Sequence, residues 1–402
     1  MNLIDSKKAL SALAATAAVL PNIAQADSPA ESIVIGYKHH KYTEKDASAT
    51  QTGNQKVERY EIDVNQFQLL LPLSDKYQLN FDYQTETMSG ASPWYTYKAG
   101  DGTVRQVMSG ASIKDTRDDI KVSLSTYTQN STLTLGVANS SEDDYDANSV
   151  FASYSHTTDD KMQTYGISVD YSDDTVDPVD KDAFTPQRVD EQDKNSLSLM
   201  LSTTQVINRN MLWQVSAGFI EKEGYLSDPY KLVDIVDPVD NSQRILINDQ
   251  RPKDRFAWLF TSSTRNYVES MQAAAHVDYR YYQDNWDLSS HTIELKWLQT
   301  IAKDWRLIPS FRYYTQTATD FYQTYYESDR PQKYYSNDYR LSSYGAITLG
   351  LKVETKIDDW LLNISYESYR SDGSYGLESE NQDNPGLVDF DILSLGFYYS
   401  FN

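Results

Sequence analysis

The stretch ITLGLKVETKIDDWLLNISYE, residues 347–367, decides how this chain folds. Ile347, Leu349, Leu351 and Val353 alternate with Thr348, Lys352 and Glu354. After Ile357-Asp358-Asp359 the pattern resumes, with Trp360, Leu362, Ile364 and Tyr366 opposing Asn363, Ser365 and Glu367. Successive side chains on a strand point to opposite faces, so each half carries one apolar and one polar face. The acidic turn between them predicts an antiparallel hairpin. A helix would need a period near 3.6, whereas the dominant period here is two.

The same period of two runs outward through the chain. Leu79, Phe81 and Tyr83 oppose Asn80, Asp82 and Gln84, and Ile120, Val122 and Leu124 oppose Asp119, Lys121 and Ser123. Leu133, Leu135 and Val137, then Tyr165, Ile167, Val169 and Tyr171, repeat it, as do Ala275, Val277 and Tyr279, Ile293, Leu295 and Trp297, and Trp305, Leu307 and Phe311. A soluble sandwich also alternates, and the connections separate the two. Short turns fall at 73–76, 128–131, 156–161, 208–210, 302–304 and 357–359, whereas long acidic or aromatic connections fall at 44–57, 87–113, 140–148, 173–194, 223–254, 318–338 and 371–388. That asymmetry, with aromatics beside the short turns (Tyr77, Tyr127, Trp213, Trp305, Trp360), predicts an all-β transmembrane antiparallel up-and-down β-barrel of about sixteen strands.

Composition narrows the function. The 402 residues carry a formal net charge of -22, which excludes a nucleic-acid partner because nothing could neutralise phosphates. There is no cysteine, hence no disulfide, thiolate metal site or thiol nucleophile. Tyrosine is abundant, 32 against 12 Phe and 7 Trp, as suits strands and membrane interfaces. The mean hydropathy of -0.61 is polar, as expected when only alternate strand residues meet lipid.

Both ends of the chain point to export into an outer membrane. Lys7 and Lys8 precede the apolar run Ala9 to Leu20, Pro21 breaks it, and Ala24-Gln25-Ala26 is an A-x-A site. Residues 1–26 therefore read as a cleaved signal peptide and 27–402 as the barrel. At the other end Leu393, Leu395, Phe397, Tyr399 and Phe401 share one face. This resembles the terminal signature that outer-membrane barrels present to the barrel assembly machinery, with Phe397, Tyr399 and Phe401 as the signal. Asn402 after the final aromatic departs from the usual pattern. The resemblance implies lipid, lipopolysaccharide and that machinery as partners.

Three further segments stand out: MSGAS at 88–92 and again at 108–112, the first followed by Pro93-Trp94-Tyr95; YRYYQDNWDLSSHT at 279–292; and FRYYTQTATDFY at 311–322. They resemble an uncharacterised family of predicted outer-membrane β-barrel proteins from Gram-negative bacteria. The resemblance covers most of the mature chain, implies its fold and location, and supplies no active site. No G-x-S-x-G elbow, H-E-x-x-H or P-loop is present, and no cofactor or metal site is assigned. His291 with Asp284 and a serine is the nearest approach to a triad. His39 and His40 are neighbours on a strand and point apart. The acidic loops, with VDPVD at 176–180 and 236–240, offer carboxylates for weak divalent binding, without the glycine of an EF-hand loop.

Parity places Asp82, Glu86, Arg117, Asp119, Lys121, Asp278, Arg280, Glu294, Lys296, Arg306, Arg312, Lys352 and Glu354 on the inner face. Mixed charges there line a wet lumen or fill it with ion pairs. The leading expectation is a non-enzymatic, porin-like barrel that passes or binds small hydrophilic solutes. The alternatives are a docking barrel that anchors a partner through Pro93, Trp94 and Tyr95, and an outer-membrane hydrolase.

Overall fold

The computed structural model describes residues 28–53, 58–109, 113–240, 242–327, 333–378 and 384–401. The signal segment 1–26 and part of the second MSGAS copy lie outside them.

In chain order the strands are β1 (Val34–Glu44), β2 (Glu61–Pro72), β3 (Tyr77–Gly90), β4 (Pro93–Lys98), β5 (Val104–Met108), β6 (Ile113–Tyr127), β7 (Ser131–Ser141), β8 (Tyr145–Thr157), β9 (Gln163–Val176) and β10 (Gln192–Asn208). They continue as β11 (Met211–Gly224), β12 (Leu232–Val236), β13 (Arg244–Asn248), β14 (Asp254–Val268), β15 (Ala273–Asp284), β16 (Ser289–Ala302), β17 (Trp305–Gln316), β18 (Tyr344–Ile357), β19 (Trp360–Asp372) and β20 (Phe390–Ser400). Sixteen of these form a closed barrel, each pairing antiparallel with its neighbours; β4–β5 and β12–β13 are separate hairpins within long connections. Closure is made by β1 against β20, from Val34 opposite Ser400 to Glu44 opposite Phe390. Every backbone polar group of a spanning strand must find its partner inside the sheet, and a closed ring achieves this without edges. At about 3.3 Å per residue and a tilt near 45°, about eleven residues cross a hydrocarbon layer, which matches the shortest barrel strands.

The outer face confirms the alternation. Leu135 is 54% exposed, Val137 56%, Leu349 60% and Leu395 49%, and these rows continue around the ring. A belt of that size is stable only against lipid. Tyr77, Trp213, Trp305 and Trp360 are exposed beside the short turns, as an interfacial girdle requires. Tyr127 departs from the expectation: it is buried, because Ile120 and Leu124 set the outward parity of β6 and leave position 127 facing inward.

The loop asymmetry holds with three corrections. The expected long connection at 140–148 is only a three-residue turn, because β7 and β8 extend into it on either side of Glu142. A turn at Glu269–Met271, absent from the sequence reading, closes β14 onto β15. The connections at 87–113 and 223–254 are not open loops, since each folds a hairpin of its own. Within the described part of the MSGAS pair, Gly90, Ser92 and Ser109 have structural roles. Gly90 ends β3 at φ +133, where a Cβ would lie 2.6 Å from the Arg59 carbonyl oxygen. Ser92 and Ser109 then join the copies, with the Ser109 amide donating to the Ser92 carbonyl at 2.8 Å and the Ser92 amide to the Ser109 hydroxyl at 2.9 Å.

Candidate functional site: a capped lumen

The barrel encloses a cavity of about 1460 Å³. Sixteen strands make a ring too wide for side chains alone to fill, and its two halves are furnished differently. Across β7 to β10 many of the inward residues are small, among them Ala138, Ser149, Ser153, Gly166, Ser168, Ser172, Ser196 and Ser198, beside the larger Tyr145, Asp170, Lys194 and Met200. Half a ring away, β15 to β19 present Arg280, Tyr282, Arg312, Tyr314, Tyr344 and Tyr369. The space exists because one wall is built of serine, glycine and alanine. Phe151 intrudes on the small wall only because position 136 is glycine; a Cβ there would lie 2.1 Å from its ring. Lys121 sits over that ring at 4.4 Å, a favourable cation–π placement.

Of the thirteen inner-face candidates, Asp82, Arg117, Asp119, Lys121, Arg280, Glu294 and Arg312 line the cavity. The other six face inward without bordering it. Glu86 is buried beside Arg117 at 4.0 Å. Asp278 is taken by Arg265 at 2.8 Å, and Lys296 by Glu294 at 2.9 Å. Arg306 and Lys352 both pair with Glu354 near the short-turn end, Lys352 at 2.7 Å. Sequence parity reached the strand interiors and missed Lys194, Arg255, Tyr314, Tyr344 and Tyr369, which also line the cavity, as does Glu367, which parity put on the polar face but which was not among the thirteen. Tyr314 follows from the same parity as Arg312; the doublet Tyr313-Tyr314 masked it by placing one ring on each face.

The other motifs resolve into local pairings. His291 accepts or donates toward the Tyr279 hydroxyl at 2.8 Å, whereas Asp284 binds Arg255 at 2.6 Å. These residues occupy opposite strand parities, so no triad assembles around them. His39 meets Asn65 at 3.1 Å and His40 meets Ser394 at 2.7 Å, again on opposite faces. Asp115, Glu142 and Asp144 place carboxylate oxygens within 4.8 Å of one another. Arg117 stands 3.7 Å from Glu142, and the Tyr230 hydroxyl donates to Asp144 at 2.5 Å, so this charge is already partly compensated.

A folded cap covers the cavity at the long-loop end. It is built from the β4–β5 hairpin, the 225–253 connection and the 317–343 connection, each tied to the others. Val233, Ile235, Tyr326 and Tyr335 form one buried cluster, and Trp286, Phe321 and Leu341 another. The Thr96 hydroxyl donates to the Thr324 carbonyl, and the Lys231 ammonium to the Pro93 carbonyl. The Pro93-Trp94-Tyr95 element is used within this cap: Pro93 is buried, and Trp94 meets Phe184 edge-on at 5.6 Å. At the centre lies an ion-pair chain. Arg251 reaches Asp249 at 2.7 Å and Asp338 at 2.8 Å; Arg340 reaches Asp338 and, at 2.5 Å, Asp228. Burial alone would raise the Asp338 carboxyl, but Arg340 and Arg251 overcome it and hold Asp338 well below the usual carboxylate range. Burial pushes the Asp249 carboxyl upward instead, against the pull of Arg251. Tyr230, Arg251, Tyr339 and Arg340 form part of the cavity lining, so the cap is its ceiling.

Similarity to solved structures is distant. A bacterial polysaccharide outer membrane secretin is similar over 92% of this chain and 98% of its own, at 9% identity and a TM-score of 0.48. CdiB from Acinetobacter baumannii is similar over 92% of this chain and 60% of its own, at 6% identity and a TM-score of 0.50. The siderophore receptor PirA from Pseudomonas aeruginosa is similar over 85% of this chain and 56% of its own, at 10% identity and a TM-score of 0.41. The chain thus spans little more than half the length of that receptor, and such identities speak for the fold alone. No curated protein sequence matches the chain. The pattern of the family described as Protein of unknown function (DUF3570) matches residues 8–384, and with its sixteen-stranded barrel of the outer-membrane type this chain belongs to that family.

Proposed function

We propose that this barrel admits small hydrophilic solutes from outside the cell into its lumen, in a porin-like role, and that the cap limits what enters. The observation that carries the reading is the cavity of about 1460 Å³ with hydroxyl-rich and charged walls, roofed by a packed cap. A cavity of that volume holds a solute of sugar size with water around it. The usual asymmetry of such barrels puts short turns in the periplasm and the cap at the cell surface. Lipopolysaccharide then surrounds the capped end. The outward row Phe397, Tyr399 and Phe401 serves assembly at the seam where β20 meets β1. On this reading the protein does no chemistry on the solute.

The test is bilayer recording and liposome swelling with purified, refolded protein. The expected result is conductance steps together with glucose-driven swelling, both increased when residues 226–250 are replaced by a short flexible linker. Absence of conductance and swelling in both the full chain and the shortened one contradicts the reading.

A further inference from the structure

Most inner arginines near the cavity are neutralised by a neighbour. Arg117 meets Asp119 at 2.9 Å, Arg255 meets Asp284 at 2.6 Å and Arg265 meets Asp278 at 2.8 Å. Arg280 and Arg312 differ: among the described residues no carboxylate oxygen lies within 4.0 Å of either guanidinium, yet both border the cavity. They also lie together. Arg280 stands opposite Thr292 of β16, which stands opposite Tyr314 of β17, and Arg312 is the next inward residue along β17. One strand separates them, about 10 Å across two interstrand spacings, and long side chains span that gap. The two groups repel each other across it.

The nearest acids do not cancel them. Glu294 faces Arg312 on the ladder but is drawn to Lys296 at 2.9 Å. Glu367, two strands away across Gly350, shares the field of Glu294, Lys296 and Arg312. Two partly desolvated guanidinium groups without counter-charge are costly to hold. Each presents several donors in a planar fork that fits carboxylate or phosphate oxygens two at a time. Around them lie hydroxyl groups of Ser290, Thr292 and Tyr314, and the serine wall faces them across the cavity.

We propose that Arg280 and Arg312 form an oxyanion-binding subsite in the lumen, selecting small hydroxylated solutes that carry a carboxylate or a phosphate. The inference rests on the reading that solutes reach the lumen. It runs against the net charge of the chain, which acts at long range and is screened beyond about 8 Å at physiological ionic strength; the arginines act at contact.

The experiment is calorimetric titration of folded protein in detergent with gluconate, glucose 6-phosphate and glucose, alongside glucose-driven swelling of liposomes. At least one anion is expected to bind tenfold or more tightly than glucose. The R280Q/R312Q variant, checked for a folded barrel by heat-modifiable migration, is expected to lose at least tenfold of that affinity. E294Q, which removes a competing acid, is expected to tighten anion binding several-fold and supplies the answer if the double variant does not fold. Whichever anion binds more tightly distinguishes a carboxylate site from a phosphate site. Anion binding no tighter than that of glucose, or binding untouched by R280Q/R312Q, overturns the subsite. Glucose failing to swell liposomes while anions bind leaves the subsite standing and removes the conduit.

Discussion

Barrel and cap occupy the same chain but are held together in different ways. The barrel is a ladder of neighbour-to-neighbour backbone bonds whose outward side chains are matched to lipid. The cap is held by pairings far apart in sequence, such as Arg340 with Asp228 and Thr96 with Thr324. Breaking one outward residue of the barrel weakens a belt that many residues share. Breaking one carboxylate of the cap, Asp338, takes a partner from two buried guanidinium groups at once. The cap should therefore open while the barrel remains closed, and this is the arrangement a gated conduit needs.

The largest effect is expected at Asp338, whose side chain is fully buried between Arg251 and Arg340. Asp338→Ala should cost the cap about 3–5 kcal/mol, the usual penalty for breaking a buried ion pair by removing one partner. Limited proteolysis should then cut within 225–253 or 317–343, while the barrel keeps its heat-modifiable migration. Acid should reach the same point. The folded Asp338 carboxyl is depressed, so its contribution is complete above the ordinary carboxylate value of about 3.9 and is lost as pH falls below it. The raised Asp249 carboxyl has the opposite sign, gaining stability as it takes up a proton. Cap opening is thus expected only below about pH 4, read as a rise in bilayer conductance; opening between pH 5 and 7 would point to a different titrating group.

Leu135→Arg sharpens the comparison from the barrel side. Leu135 is 54% exposed on the lipid face, and a charge near the bilayer midplane costs about 2–4 kcal/mol. Denaturant titration in lipid should show that loss in the barrel transition, with cap proteolysis unchanged. Thr96→Val is the smallest test. It removes the hydroxyl that joins the β4–β5 hairpin to the Thr324 carbonyl, and about 1 kcal/mol should be lost from the cap alone. Equal destabilisation of barrel and cap by these variants would dissolve the distinction between them.

The same contrast explains what could be read from sequence. Leu349 and Leu351 announce their lipid-facing role through local period alone, and both are exposed as expected. Arg280 and Arg312 followed from the parity of their strands. The SEDDYD segment misled because acidic composition suggests a loop, whereas Glu142 and Asp144 belong to a tight turn between two long strands. The cap was not legible. Nothing local to Asp228, Arg251 or Asp338 reveals that they meet, since the pairing from Asp228 to Arg340 spans 112 residues. Which arginines lack a partner is likewise a property of the assembled ring.

The most direct test of the account is cysteine scanning along β10, in a chain that has no cysteine of its own. Single substitutions to Cys at Ser196, Ser198 and Ser202 sit on the cavity side, and those at Leu197, Leu199 and Leu201 on the opposite face. In lipid vesicles a membrane-impermeant thiol reagent should label the three serine positions and spare the three leucine positions. Uniform labelling along the strand, or labelling confined to the leucine positions, would contradict a solvated lumen enclosed by a lipid-facing wall.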